Sequence, residues 1–197
     1  MRPGSRVVIG LAGKVGTGKS EAAKVFTELG ASCIRADEIG WEVLPEISPM
    51  LKEKFGKEIM KGLQVDRTKL RDLVFADRSK LDFLNRLSHP LLVQKIKEKL
   101  ASIASGLVVI DAALLFDWPE IRALTDYTIL MTAREDIMAA RARAKGIDER
   151  IFRMILSEQK GEEELSEKAD FIITNNGTLA ELRQKCKDIY RRIKDDC

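Results

Sequence analysis

The residues with the clearest chemical potential form the stretch GKVGTGKS at positions 13–20. This stretch fits the pattern G-x-x-x-x-G-K-[ST] through Gly13, Gly18, Lys19 and Ser20. The apolar run RVVIGLA precedes it and the helical pattern EAAKVFTELG follows it, which is the context that phosphate binding requires. Backbone N–H groups of such a loop, together with the positive end of the next helix, bind phosphate oxygens. The stretch therefore predicts a phosphate loop that holds ATP or GTP.

Two side chains of this loop have predicted roles of their own. Lys19 is expected to reach the β and γ phosphates as a point charge. The Ser20 hydroxyl is expected to coordinate the Mg²⁺ that bridges the same two groups. The predicted nucleotide-binding residues of the loop are Gly13, Lys14, Val15, Gly16, Thr17, Gly18, Lys19 and Ser20.

The rest of the chain distinguishes between classes of phosphate-loop protein. A GTP-operated switch needs an Asn-Lys-x-Asp segment after a late strand, but residues 174–178 read TNNGT. A motor-type ATPase usually carries an acidic pair beside the loop, whereas LVVID is followed here by AALLFD. A small-molecule kinase instead needs a carboxylate for the acceptor proton, an acceptor pocket and cations over the phosphates. All three can be proposed for this chain.

Two aspartates are candidates for the carboxylate chemistry. Asp37 follows a short strand at 32–35, and ligands of open parallel sheets bind outside the carboxyl ends of the strands. Asp37 is predicted to be the general base, or to cap the helix EIGWEVL, and the two roles are compatible. Asp111 ends a buried strand, where a carboxylate needs a cation or hydrogen-bond donors. It is predicted to support Mg²⁺ or Lys19, or to cap a helix.

The candidate cations lie in the segment REDIMAARARAKG. Arg141 and Lys145 are four residues apart and share one helical face, whereas Arg143 points away from it. They either cover the phosphates or form a solvated basic face. The single histidine, His89, has apolar neighbours, and these favour a packing role over a ligand role.

Short β-branched runs alternate with helical segments, which predicts an α/β fold with a doubly wound, five-stranded parallel sheet. About seventy residues between the second and third strands read as helix throughout, too long for one crossover. Turns are expected at Pro45, Pro49 and FGKEIMKGLQVD, and Pro90 is expected in a first helical turn after Ser88 and His89. The predicted strands are 6–11, 32–35, 107–111, 127–132 and 171–174.

These patterns predict one domain over residues 1–197 with three parts. The nucleotide-binding core covers about 1–37, 106–133 and 169–197, and a helical substrate lobe covers about 38–105. A helical lid covers about 134–168, and its charge-rich segment QKGEEELSEK is expected to be an exposed helix or loop.

Composition limits the possible partners and the compartment. The chain has 34 Lys and Arg against 31 Asp and Glu, a net charge of +3 without a basic stripe, so duplex nucleic acid is not expected. Its three cysteines have neither CxxC spacing nor a disulfide framework, which fits a reducing cytoplasm. No apolar run is long enough for a signal peptide or a membrane span, so a soluble protein is expected. The oligomeric state stays open.

Five segments, taken in order, resemble the dephospho-CoA kinase family over nearly the whole chain. They are IGLAGKVGTGKS, IRADEIGWEVL, LSHPLL, VVIDAALLF and ADFIITNNGT. The resemblance implies the nucleotide-kinase type of phosphate-loop fold. It also implies transfer of the γ-phosphoryl group of ATP to the ribose 3′-hydroxyl of dephospho-CoA, with Mg²⁺.

The resemblance also implies roles for individual residues. Asp37 matches the general base of the family, and Arg141 matches a lid arginine that contacts phosphate. Lys145 stands where a second lid arginine is common, which leaves the roles of Arg143, Lys145 and Arg153 open. The acceptor site is implied at Asp37, His89, Leu114 and Leu115, and the adenine loop at Asn175, Asn176 and Gly177.

The resemblance assigns the helical lobe to CoA binding and the segment 134–168 to the lid. The residues themselves leave two alternatives to this function open. The first is a kinase of another small molecule, such as a nucleoside or a nucleotide. The second is a regulator that binds a nucleotide without transferring phosphate.

Overall fold

A five-stranded parallel sheet forms the centre of the computed structural model, which describes residues 6–159 and 161–196. The strand order is β2-β5-β1-β6-β7, and every neighbouring pair is parallel. All five predicted strands are present, so the predicted doubly wound α/β class is confirmed. The strands are β1 Arg6–Gly13, β2 Ser32–Arg35, β5 Gly106–Asp111, β6 Tyr127–Thr132 and β7 Phe171–Thr174.

Helices cover both faces of this sheet because alternate side chains of each strand point to opposite sides. On one face, Val7, Ile9 and Leu11 of β1 pack with α1 and α9. On the other face, Val8 and Ala12 share a cluster with the remaining sheet helices. The helices are α1 Lys19–Glu28 and α9 Leu179–Asp196 on the first face, and α2 Ala36–Phe55, α4 Arg78–Ala101, α5 Pro119–Arg122 and α8 Glu162–Ser166 on the second.

The register brings the carboxyl ends of three strands to one edge of the sheet. Asp111 pairs with Leu11 of β1 on one side and with Arg35 of β2 on the other. Gly13, the last residue of β1, pairs with Met131 of β6. The phosphate loop and the segment after β2 therefore begin next to Asp111.

The residues between β2 and β5 have a hydrophobic cluster of their own. It joins the outer halves of α2 and α4 to the helix α3, Arg67–Phe75, and to a hairpin of β3, Met60–Lys61, and β4, Gln64–Val65. The hairpin lies in a stretch expected to be helix and turn. The buried members of the cluster are Leu44, Ile47, Leu51, Phe55, Ile59, Leu70 and Val74.

Three prolines lie inside helices, so the turns expected at Pro45 and Pro49 and the helix start expected at Pro90 are wrong. Proline removes one intrahelical hydrogen bond. In α2 the Ser48 hydroxyl donates to the Pro45 carbonyl at 3.1 Å, the acceptor that Pro49 leaves free. Packing of the flanking apolar side chains, including Leu92 after Pro90, outweighs the local cost.

Two further helices, α6 Glu135–Ala144 and α7 Glu149–Ser157, follow β6. Met138, Ala142 and Phe152 form a small buried cluster there, and Val15 of the phosphate loop packs against it. This segment therefore lies directly on the loop. Within residues 6–159 and 161–196, no helix has the length and the apolar character that crossing a membrane requires.

Candidate active site

The phosphate loop turns tightly at glycines whose backbone angles disfavour other residues. Gly16 has φ of 82° and Gly18 has φ of 98°, both in the left-handed region. A Cβ atom at Gly16 would lie 2.5 Å from the carbonyl oxygen of Met138, so α6 packs against bare backbone. Helix α1 begins immediately after Gly18, which places Lys19 and Ser20 in its first turn. The N-terminal end of α1 therefore faces the loop, as phosphate binding requires.

Hydrogen bonds from distant residues hold the loop in place. Thr17 is 1% exposed, and its hydroxyl donates to the Lys14 carbonyl at 2.7 Å. The buried Asn175 amide donates through Nδ2 to the Thr17 carbonyl at 2.9 Å. Arg141 donates through Nη1 to the carbonyls of Asn175, at 3.0 Å, and Gly16, at 3.4 Å. Arg141 thus joins α6, the loop and the turn after β7.

The other residues of the predicted adenine loop are exposed. Asn176 accepts a hydrogen bond through Oδ1 from the Arg134 backbone N–H at 2.8 Å. Gly177 is exposed in the turn before α9. Their backbone borders the same end of the sheet as the phosphate loop, because Asn175 directly follows β7.

Asp37 occupies the first turn of α2, directly after β2. The N-cap of this helix is Arg35, so Asp37 does not cap it. The Asp37 side chain is exposed, whereas the Asp111 side chain at the end of β5 is 9% exposed. The structure thus places one accessible and one buried carboxylate at the edge where the loop begins.

The charges around Asp111 converge on this edge. Burial raises the pKa of the Asp111 carboxyl above its ordinary value, and the nearby charge of Asp37 raises it further. The positive charges of Lys19, Arg35 and Lys145 lower it. A carboxyl group whose charge is balanced by so many neighbours is typical of a functional site.

The three cations of the predicted lid whose roles the sequence left open differ in their surroundings. Lys145, which follows α6, is near enough to Asp111 to affect its pKa. Arg143 and Arg153 instead pair with Glu149 at 3.5 Å and 2.9 Å, and their side chains are 74% and 73% exposed. Lys145 is therefore the one of these three cations whose charge acts on the buried carboxylate.

His89 lies inside α4 and is half-buried. Its ring packs edge to face against Trp118, with centroids 5.0 Å apart. Burial lowers the pKa of His89, and the charge of Asp117 opposes that shift. Leu114 is partly buried, but Leu115 is fully buried beneath Gly10, so its side chain supports the core.

Two contacts of the residues just after α7 were not predicted from the sequence. Gln159, at the start of the charge-rich segment, accepts a hydrogen bond through Oε1 from the Val15 backbone N–H at 3.1 Å. The preceding Glu158 lies 3.8 Å from Arg78 at the start of α4. No periodicity or motif marks these residues, because each partner is remote in sequence.

The residues predicted to hold Mg²⁺ suit that ion in kind. Ser20 and Asp111 supply oxygen, the ligand type that Mg²⁺ prefers, and the ion usually keeps several waters and phosphate oxygens. The described part of the chain has no group of three His, Cys, Asp or Glu side chains able to hold a metal. Ser20 in the first turn of α1 and Asp111 at the end of β5 are thus two oxygen donors at the same edge of the sheet.

Sequence comparisons identify relatives along almost the full chain. The sequence model of the dephospho-CoA kinase family matches residues 7–181. A dephospho-CoA kinase from Hahella chejuensis is 35% identical over 189 residues, which covers 93% of this chain and 90% of that protein. One from Aquifex aeolicus is 31% identical, with 95% and 98% covered.

Solved structures agree with this fold. A Thermus thermophilus protein, TT1252, superposes with a TM-score of 0.79 at 25% identity, covering 95% of this chain and 98% of the other. A shikimate kinase from Acinetobacter baumannii reaches 0.57 at 16% identity, with 98% and 96% covered, which shows a shared fold alone. The family match over residues 7–181 and the relatives above 30% identity establish that this chain belongs to the dephospho-CoA kinase family.

Proposed function

We propose that this chain transfers the γ-phosphoryl group of ATP to the ribose 3′-hydroxyl of dephospho-CoA, giving CoA and ADP. Membership of the family supports the reaction and the substrate pair. The observation that carries the residue assignment is the meeting of Asp37, Lys19 and Asp111 at the carboxyl edge of the sheet. One accessible carboxylate beside a phosphate-binding loop is the arrangement that a hydroxyl acceptor requires.

Asp37 acts as the general base of the transfer. Its carboxylate accepts the proton of the 3′-hydroxyl while that oxygen forms a bond to the γ phosphorus. The bond from the γ phosphorus to the bridging oxygen breaks, and ADP leaves with that electron pair. Because Asp37 is exposed at the start of α2, it can reach an acceptor that enters from the cleft.

The loop and the lid stabilise the charge that the phosphates carry. Loop N–H groups and Lys19 hold the β and γ phosphates, and Lys145 supplies a further positive charge from the lid. Ser20 and Asp111 would hold Mg²⁺, which neutralises negative charge on the phosphate oxygens. Arg141 positions the loop through the Gly16 and Asn175 carbonyls and borders the nucleotide.

We assign the acceptor to the side of the cleft opposite the lid. His89 and Leu114 would contact it, with Leu115 as support, and the lobe at about 38–105 would enclose its remainder. The segment 134–168 would close over the phosphates, while the turn at 175–177 borders the adenine of ATP. We also propose that the protein is cytoplasmic and has no nucleic-acid partner, which agrees with a small-molecule substrate.

A product assay with matched acceptors tests the proposal. The purified chain with Mg²⁺ and ATP should form ADP and CoA when dephospho-CoA is present. An analogue that lacks the 3′-hydroxyl should give neither product. If nucleosides or nucleotides give ADP and dephospho-CoA does not, the chain is a kinase of another small molecule. Tight ATP binding without ADP formation for any acceptor would favour a regulator and reject the proposed reaction.

A further inference from the structure

An exposed tryptophan lies one helical turn beyond Asp37. Trp41 is 37% exposed, which is unusual for so large an apolar side chain. Residues four apart on a helix share a face and are separated by about 6 Å along the axis. Trp41 and Asp37 are therefore neighbours on one side of α2. That separation is comparable with the distance from the base to the 3′-hydroxyl in a nucleoside.

A guanidinium group lies against this indole. Arg67, the first residue of α3, has its Cζ atom 4.6 Å from the centroid of the Trp41 ring. No carboxylate among residues 6–159 and 161–196 forms an ion pair with Arg67. The adjacent Asp66 carboxylate instead accepts hydrogen bonds from the N–H groups of Thr68 and Lys69. The positive charge of Arg67 therefore lacks an acidic partner in the described part of the chain.

The next arginine of α3 shows the usual arrangement. Arg71 lies one turn beyond Arg67, and its guanidinium pairs with Asp72 at 2.9 Å. The salt bridges Lys95–Glu46 and Lys99–Glu42 similarly neutralise charges between α2 and α4. Arg67 differs because its neighbour is an aromatic ring beside the proposed base. An aromatic surface with an unpaired cation is suited to a planar base with an adjacent phosphate.

We propose that Trp41 and Arg67 form a subsite for the nucleotide part of the acceptor. The exposed part of the Trp41 indole stacks against the adenine of dephospho-CoA. Arg67 pairs with the 5′-diphosphate attached to the same ribose. This subsite rests on the proposed function, since Asp37 must receive the ribose hydroxyl. It presents the ribose to Asp37 by binding the groups on either side of that sugar.

Steady-state kinetics of four variants test the subsite. Trp41→Leu should raise the KM for dephospho-CoA about tenfold, whereas Trp41→Phe should stay near wild type because it keeps an aromatic face. Arg67→Gln should raise that KM about tenfold and reduce its dependence on salt. The matched control Arg71→Gln should leave it unchanged. All four variants should keep the KM for ATP near its wild-type value, and the control Arg71→Gln should also keep the wild-type kcat.

A binding measurement makes the test independent of turnover. The chain has two tryptophans, Trp41 and Trp118, so wild-type and Trp41→Phe proteins can be titrated with dephospho-CoA while tryptophan emission is recorded. The emission of the wild type should change, and most of that change should vanish in Trp41→Phe. Circular dichroism verifies folding. If Trp41→Leu fails to fold, Arg67→Gln and the emission titration decide.

The two proposals fail in different ways. Wild-type KM values in both Trp41→Leu and Arg67→Gln would overturn the subsite while leaving the reaction intact. An equal emission change in wild type and Trp41→Phe would also overturn it. A wild-type protein that forms no CoA would instead reject the proposed function, whatever the variants bind.

Discussion

The phosphate loop and the proposed acceptor subsite at Asp37, Trp41 and Arg67 are held by different means. The Asn175 amide donates a buried hydrogen bond to Thr17, and Arg141 donates to Gly16, so both of these contacts come from residues more than a hundred positions away. At the proposed subsite, Asp37 and Trp41 are exposed, and Arg67 lies against the Trp41 indole without an ion pair among residues 6–159 and 161–196. The first region presents backbone N–H groups that side chains hold in place, whereas the second presents side chains.

This difference follows from what each region must recognise. Triphosphates present the same oxygens whatever else they carry, so a rigid ring of backbone N–H groups suits them. The acceptor is distinguished by its base, its sugar and its diphosphate, which need particular side chains. Substitutions at the loop should therefore affect the chemistry most, and substitutions at the cleft should affect selection of the acceptor.

Removal of the loop charge should have the largest effect. Lys19→Met should lower kcat about 100- to 1000-fold, because a cation that stabilises the transferred phosphoryl group is lost. Lys24→Met is the matched control, since Lys24 lies on the same helix and pairs with the exposed Glu21 at 2.7 Å. Its kcat should stay near wild type. Similar losses in both variants, measured by ADP release, would contradict a special role for Lys19.

Asp111→Asn should lower kcat about 10- to 100-fold, because a carboxylate that would support Mg²⁺ is lost. The same substitution should stabilise the fold at neutral pH. The folded pKa of Asp111 is raised by burial, so its ionised form costs stability above that pKa. The protonated form carries no such cost. In urea unfolding, wild type and Asp111→Asn should differ little below the ordinary pKa of aspartate. Asp111→Asn should become the more stable protein as the pH rises through the raised pKa of Asp111. If its advantage in the free energy of unfolding shrinks as the pH rises, burial of the charged carboxylate is not the cause.

Of the three cations in the proposed lid, Lys145 should contribute to turnover, whereas Arg143 and Arg153 should not. Lys145→Met should lower kcat about tenfold, because Lys145 acts on the same edge as Asp111. Glu149→Gln releases Arg143 and Arg153 from exposed pairs and should change kcat by less than about twofold. A larger loss in Glu149→Gln than in Lys145→Met would reverse this assignment.

The strands were predictable because their signal is local. Buried parallel strands read as apolar runs, and four of the five were identified from such runs, whereas the strand at 32–35 had a shorter and weaker pattern. The three helical prolines were misjudged because tertiary packing, absent from any local window, outweighs a lost hydrogen bond. The hairpin at 60–65 was missed because two-residue strands carry almost no pattern.

The residues of the candidate site were likewise predictable where the pattern is local, but not where the contact joins separate elements. The loop is a contiguous motif, so its residues could be named from their spacing. Asp37 and Asp111 could be placed because the carboxyl ends of parallel strands share one edge. Gln159 on Val15 and Arg67 on Trp41 are side-chain contacts between separate elements, which required the folded arrangement.

The most direct test of the general base is Asp37→Asn, compared with wild type for both turnover and ATP binding. The variant keeps the size of the side chain and removes its basic oxygen. If Asp37 takes the acceptor proton, kcat should fall about 100- to 10,000-fold while the dissociation constant for ATP stays unchanged. An Asp37→Asn protein that forms CoA within a few-fold of the wild-type rate would contradict that role.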